Sequence, residues 1–246
     1  MSAPPRWDGA LLRGPVHGPL PALLLLMTTA TGLVDAVSVL GLGRVFVANM
    51  TGNVVFVGLA VAGVPGFALA SSLAALGGFL VGALAGGALV SAVSARGRHR
   101  GHLLRDAVMI EVVLLLVGCG LLVGVAGTPG IVLASVVAAL AAVAIGLQNS
   151  VVRRLGVPDL TTTVLTMTLT GIAADVRSAG RPVLTRRVLA VATMFLGGLI
   201  GALLVLHTRL VWALLPAPVL LALVVGVLAV AGRRPAPWQD PPDARG

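Results

Sequence analysis

The amino-acid sequence predicts an all-α, polytopic integral membrane bundle of two inverted three-span repeats, each with a short broken or re-entrant helix. Three observations predict the membrane bundle. The 246 residues are 58% hydrophobic and 10% charged, with a mean hydropathy of +1.07, whereas a soluble domain carries roughly a quarter of its residues as charges. No Asp, Glu, Lys or Arg occurs between Arg44 and Arg96, or between Glu111 and Arg153. Each interval has room for two crossings of about 20 apolar residues. The 17 basic residues are all arginine and cluster beside the apolar runs, as membrane-orienting charge does. A β-barrel would alternate polarity in roughly ten-residue pieces, and no such alternation is present.

Gly, Pro and charge divide the chain into apolar segments 20–42, 46–64, 67–93, 107–127, 130–152, 160–174, 188–207 and 211–232. Arg6 and Arg13 precede Leu20–Met27 in the manner of a secretory signal, but the apolar stretch continues to Leu42, too long for one. Residues 1–19 are therefore expected to form a cytoplasmic tail ahead of a first span. If all eight segments crossed, the arginines would divide nine to eight between the two faces. If 46–64 and 160–174 instead enter and leave on one side, six spans remain. With the N-terminus inside, 15 of the 17 arginines are then cytoplasmic, and only Arg44 and Arg209 lie outside. The positive-inside rule prefers this arrangement, which puts both termini in the cytoplasm. Length agrees, because a helix from Asn49 to Val64 would reach about 24 Å against a hydrocarbon core of ~30 Å.

The loop 94–106, with His99 and His102 among arginines, reads as a solvated charge run facing lipid headgroups, and Glu111 as reaching the cytoplasmic interface. The tail 233–246, with Pro235, Pro237, Pro241 and Pro242, reads as disordered. Cys119 stands alone in an apolar run and reads as a small buried side chain.

Internal similarity divides the membrane region into repeats 20–127 and 128–232. Ala30-Thr-Gly-Leu-Val-Asp35-Ala36 resembles Ala144-Ile-Gly-Leu-Gln148-Asn149-Ser150, and Leu40-Gly41 matches Leu155-Gly156. Thr51-Gly52-Asn53 falls opposite Thr166-Met167-Thr168, and Gly78–Leu84 matches Gly197–Leu203. Three spans per repeat is an odd number, so the second half would insert upside down relative to the first, the plan of many secondary transporters.

Two polar clusters open the broken segments: Asn49, Thr51, Gly52 and Asn53 in the first, and Asp159 with Thr161, Thr162, Thr163, Thr166 and Thr168 in the second. Asn, Thr and Asp accept hydrogen bonds from unpaired N–H groups at helix starts. A helix that starts inside the membrane directs those donors and a partial positive charge at its ligand. The structural alternative is that these hydroxyls and amides join helices together. Asp35, two-thirds of the way across the first span, would cost about 2.5–3.5 kcal/mol as a lipid-facing carboxylate. It is therefore expected to face the bundle interior, either as a proton or cation relay or as a carboxylate capped by Thr31, Ser38 or Arg44. Gln148 and Asn149 stand in the equivalent stretch of the fifth span. Gly78, Gly82 and Gly86, like Gly197 and Gly201, recur every four residues and read as packing faces, expected to meet each other or the broken helices.

At Gly32-Leu-Val-Asp35-Ala36, Phe46-Val-Ala-Asn49-Met50-Thr51-Gly52-Asn53 and Gly146-Leu-Gln148-Asn149, with Thr162, Thr163 and Thr166, the sequence resembles the YoaK-like bacterial membrane proteins, domain of unknown function 1275. The resemblance covers about residues 20–232 and implies a small bacterial integral membrane protein of the inner membrane, with no assigned substrate.

The functional expectation is a transporter or channel for a small polar or anionic solute. Asn49, Thr51, Gly52, Asn53, Gln148, Asn149, Thr162, Thr163 and Thr166 would contact the solute, and Asp35 would be the proton-coupling residue. The competing class is a membrane scaffold or sensor without transport. No nucleophile-and-base set points to an enzyme, and neither metal ligation nor a cofactor is expected. Aromatic residues are too few for a nucleic-acid stacking surface. The expected partners are the lipid bilayer and the solute, and the apolar faces also allow a homo-oligomer.

Overall fold

The computed structural model describes residues 17–95, 99–163, 165–175, 178, 180–233 and 236–239. These form α1 (Leu20–Gly41), α2 (Met50–Val61), α3 (Leu69–Ala95), α4 (Arg100–Leu122), α5 (Ile131–Leu155), α6 (Leu165–Ala174), α7 (Arg181–His207), α8 (Leu210–Leu214) and α9 (Pro216–Ala231). α8 and α9 make one span broken at Leu215, where Pro216 and Pro218 interrupt the ladder of amide donors. α1, α3, α5, α7 and the α8–α9 unit are long and apolar enough to cross a membrane. α4 matches them at 23 residues but carries Arg100, Arg105, Asp106 and Glu111. The short helices α2 and α6, of 12 and 10 residues, would span only about 18 and 15 Å.

α1 and α5 form the centre, 72% and 56% buried within the bundle, while α3 and α7 are only 17% buried and form its flanks. The principal helix pairs are α3 with α5 and α1 with α7. Both are made by glycine. A Cβ on Gly82 would run into the Val143 carbonyl, one on Gly78 would lie 2.6 Å from the Ala139 oxygen, and one on Gly86 2.8 Å from the Leu147 oxygen. α5 answers with Gly146, set against the Phe79 carbonyl. In the other pair, Gly197 meets the Thr29 carbonyl, Gly201 the Leu33 carbonyl, and Gly32 the Met194 carbonyl. Residue numbers rise together along both interfaces, so each pair is parallel. The glycine stripes thus pack on the central helices and not on each other, while α3 and α7 also contact the short helices α2 and α6 as expected.

The contacts also differ from the alignment expected between residues 20–127 and 128–232. Gly82 and Gly197 take matching places against Val143 and Thr29, and Phe79 and Met194 against Gly146 and Gly32. This register lies one helical turn from the expected pairing of Gly82 with Gly201, because a glycine stripe of period four looks alike when shifted by four.

The chain reverses at the end of each central helix. Gly43 (φ +93°) sits so close to the start of α3 that a Cβ there would be 2.8 Å from Ser71 Oγ. α1 therefore ends where α3 begins. α5 stops at Gly156 in the left-handed conformation, and the following Asp159 meets Arg187 in the second turn of α7. Among the described residues the non-glycine positive φ angles are Arg44, Asp159 and Thr162, all in the two connections that precede the short helices.

The residues expected to form a solvated loop over 94–106 are largely the first turns of α4. Arg100 is buried and donates to the Leu155 carbonyl at the end of α5, so a residue read as a loop charge closes off a neighbouring helix. Within the tail expected to be disordered, Pro237–Gln239 form a 3-10 turn. Trp238 is buried there against Gly18 and Gly101, where a Cβ would reach its ring.

Gly86→Ala should disturb the α3–α5 contact, whereas Gly87→Ala, with nothing within 4 Å of its Cβ, should be neutral. A thermal melt of purified protein should show the first destabilised by about 1–3 kcal/mol, as overpacking generally is, and the second unchanged.

Candidate functional site

Asp35 lies six residues before the end of α1, and Asn149 six before the end of α5. Each therefore sits about 9 Å inside the bundle from its helix end, and each holds the connection that follows. Asp35 Oδ1 accepts from the backbone N–H of Val47 (2.8 Å) and of Ala48 (3.0 Å). Its partners are main-chain amides, not the Thr31, Ser38 or Arg44 side chains considered from sequence. Asn149 Oδ1 accepts from Thr163 Oγ1 at 3.2 Å. Both connections are drawn back toward the interior, and there α2 and α6 begin.

The short helices are anchored by different chemistry. Phe46, Phe56 and Phe67 form a column, with ring centroids 5.7 and 5.1 Å apart, joining the connection before α2, α2 itself and the connection after it. α6 is held by Arg187, which donates to Asp159 Oδ1 (2.8 Å), the Gly171 carbonyl (2.7 Å) and Asp175 Oδ2 (2.9 Å). Gly171 leaves room for this guanidinium, since a Cβ would lie 2.6 Å from Arg187 Nη1 and the side chain would have to shift. Arg187 was not legible as a site residue: its acidic partners are 12 and 28 positions away, and only folding brings them together.

Between the two helix starts lies a cavity of about 380 Å³. Asp35, Asn49 and Thr51 line it from the first half, and Asn149, Thr163 and Thr166 from the second. Phe46, Phe79 and Met194 supply apolar wall. Thr51 and Thr166 thus line the same cavity.

Four of the predicted solute contacts lie elsewhere. Asn53 is fully buried and clasps Phe46, accepting from its N–H (2.9 Å) and donating to its carbonyl (2.6 Å). Gly52 lies beneath the Phe46 ring, where a Cβ would be 2.9 Å from Cδ2. Gln148 and Thr162 are buried behind the cavity, with one end of the Gln148 amide 2.9 Å from Thr162 Oγ1 and 3.3 Å from Thr31 Oγ1. Glu111 joins them. It is 1% exposed and faces Gln148 within the bundle, not the cytoplasmic interface. The reason is that α4 begins at Arg100, ahead of the expected start at Ala107, and so carries Glu111 about three turns inward.

This arrangement defines a polytopic helical membrane protein with a polar cavity between two short helices. A family model described as "Protein of unknown function (DUF1275)" matches residues 23–227, and the chain belongs to that family. It is similar to the UPF0700 transmembrane protein YoaK of Bacillus subtilis (strain 168), 32% identical over 154 residues, covering 63% of this chain and 66% of the relative. The chain thus matches just under two thirds of that relative's length. No solved structure matches.

Asn53→Ala strands the partly buried Phe46 N–H and carbonyl and should cost about 1–3 kcal/mol, read as a lowered midpoint in a thermal melt. Thr51→Ala, at an exposed wall of the cavity, should leave that midpoint within experimental error of wild type.

Proposed function

We propose that the protein moves a small, uncharged polar solute across the bacterial cytoplasmic membrane through the cavity between α2 and α6. The observation that carries this reading is the convergence of polar groups from both halves on one cavity. Irregular backbone at membrane depth is tolerated where protein or a water-filled cavity surrounds it. Here the two irregular connections flank the same space. Helix starts directed at such a cavity offer unpaired N–H donors. Asp35 also faces it, and the described lining residues include no arginine, which weighs against an anion. Asp35 is spent on Val47 and Ala48, so we assign it to positioning the α2 start and to contacting the solute.

The wider architecture supports transport through an inverted duplication. Matched contacts recur at offsets of 114 or 115 residues, as for Gly32 with Gly146 and Gly82 with Gly197. α1 runs opposite to α3, and α3 runs with α5, so equivalent central helices point in opposite senses. With α4 as the sixth span, the arginine distribution favours both termini in the cytoplasm. Reporter fusions after Ala95, Asp175 and Gly232 should accordingly be cytoplasmic, and fusions at Val64 and Gly127 external. A cytoplasmic reading at Val64 would remove the re-entrant arrangement.

A scaffold or sensor is the second reading, favoured by Asn53, Gln148 and Thr162, whose polar groups are consumed inside the fold. The two readings separate by ligand. In a Cys119→Ala background, Thr51→Cys and Thr166→Cys should both react with a water-soluble maleimide. A metabolite screen should yield a compound that raises the melting temperature, as a native-state ligand does, and slows both reactions. Thiols that stay unreactive at both positions would eliminate a water-accessible solute site.

A further inference from the structure

Behind the cavity, α1, α4, α5 and the connection before α6 meet in a buried polar cluster of Thr31, Glu111, Gln148 and Thr162. Its hydrogens can be counted. Thr31 Oγ1 is 3.0 Å from the Met27 carbonyl and Thr162 Oγ1 2.8 Å from the Thr161 carbonyl. A hydroxyl has a single proton to give. When both hydroxyls donate to those carbonyls, each can only accept from Gln148 Nε2. The Gln148 carbonyl oxygen then faces the two Glu111 oxygens at 2.7 and 3.0 Å. Oxygen facing oxygen at that distance needs a proton between them, so Glu111 is the neutral acid in this arrangement.

The alternative turns the Gln148 amide over. Nε2 then donates to both Glu111 oxygens, and Oε1 accepts from Thr31 at 3.3 Å and Thr162 at 2.9 Å. That suits an ionised carboxylate, and it requires both hydroxyls to leave their backbone carbonyls. Neither carbonyl is stranded in an energetic sense: Met27 keeps its helix bond, and the Thr161 carbonyl still accepts from the Thr163 N–H at 2.8 Å. The two arrangements differ by one proton, exchanged with water.

We propose that Glu111 is a proton-binding site whose occupancy sets the orientation of Gln148 and, through Thr162, the conformation of the segment that brings Thr163 and Thr166 to the cavity. Thr162 suits this role, because it holds a left-handed φ of +60°, a conformation that is unfavourable for a non-glycine residue and depends on its surroundings. Thr163, the next residue, bonds Asn149 at the cavity wall. The charged groups on the packed elements are few. α4 itself carries Arg100, bonded to the Leu155 carbonyl, the Arg105–Asp106 pair, and the titratable His102 and Cys119. α5 carries Arg153 and Arg154 at its end, α1 carries Asp35 on the backbone of Val47 and Ala48, and the α5–α6 connection carries Asp159 on Arg187. α3, α8 and α9 carry none. This makes Glu111, in place of Asp35, the proton-coupling group of the cavity assigned above; the switch rests on that reading only for its consequence in transport.

The test therefore uses no solute. Infrared difference spectra of the purified full chain, titrated over pH, should show a protonated-carboxyl carbonyl band that disappears as pH rises. Glu111→Gln should lack the band while keeping the wild-type melting temperature, since its amide can donate to the Gln148 oxygen as the acid does. Asp35→Asn should retain it. In a Cys119→Ala, Thr166→Cys background, the maleimide reaction rate should change severalfold across the same pH interval, and Glu111→Gln should flatten that change. A band that survives Glu111→Gln, or is lost in Asp35→Asn alone, overturns the assignment. A band that titrates while the maleimide rate of the Thr166→Cys variant stays constant overturns the coupling, whether or not any solute is found.

Discussion

The close approach of helix backbones at Gly32, Gly82, Gly146 and Gly197 is the constraint on which the remaining geometry depends. Lipid tails are as apolar as leucine, so helices in a bilayer gain little by hiding side chains from their surroundings and associate through packing and hydrogen bonds. Here the missing Cβ atoms let the α3 and α7 backbones reach the carbonyl oxygens of α5 and α1. Nothing larger than hydrogen fits at those crossings, which fixes both the axial register and the rotation of the central helices. Asp35 and Asn149 are thereby aimed at the interior, and the connections that bond to them inherit that placement.

From this shared frame the two halves diverge in chemistry. One short helix is steadied by three phenylalanines in contact, the other by a guanidinium bridging two carboxylates and a carbonyl. The same task is met by an apolar column at the α1-terminal end and by charge at the α5-terminal end. The Arg187 cluster is partly open to solvent, its side chain 15% exposed, so water and salt reach it. The phenyl column depends on neither.

Hydropathy and charge made the segments legible to within about five residues, except at the starts of α4 and α7, each placed seven residues late where arginines open the helix, because the cost of burying a charge in lipid is large and local. The positions of Asp35 and Asn149 were legible for the same reason. What failed did so where the answer depended on a neighbour. The glycine stripe of α3 repeats every four residues, so its sequence fits two registers one turn apart, and only the facing carbonyls of α5 choose between them. Arg100 and Arg105 suggested a solvated loop, which placed the start of α4 too late and Glu111 too near the surface. Thr162 carries the same hydroxyl as Thr51 and Thr166, and Asn53 and Gln148 the same amide as Asn49 and Asn149, so sequence could not tell polar groups consumed inside the fold from those left facing a cavity.

The pairing of flanking helices with central helices of the opposite half bears on how such a chain is assembled. α1 and α3 emerge first from the ribosome, yet their tightest partners, α7 and α5, belong to the half made later. The first half thus has its glycine faces open to lipid until α5 arrives, and α1 gains its flanking partner only after α7 inserts. Neither half is a self-sufficient unit, and final packing is a post-insertion event in which the nascent halves interlace.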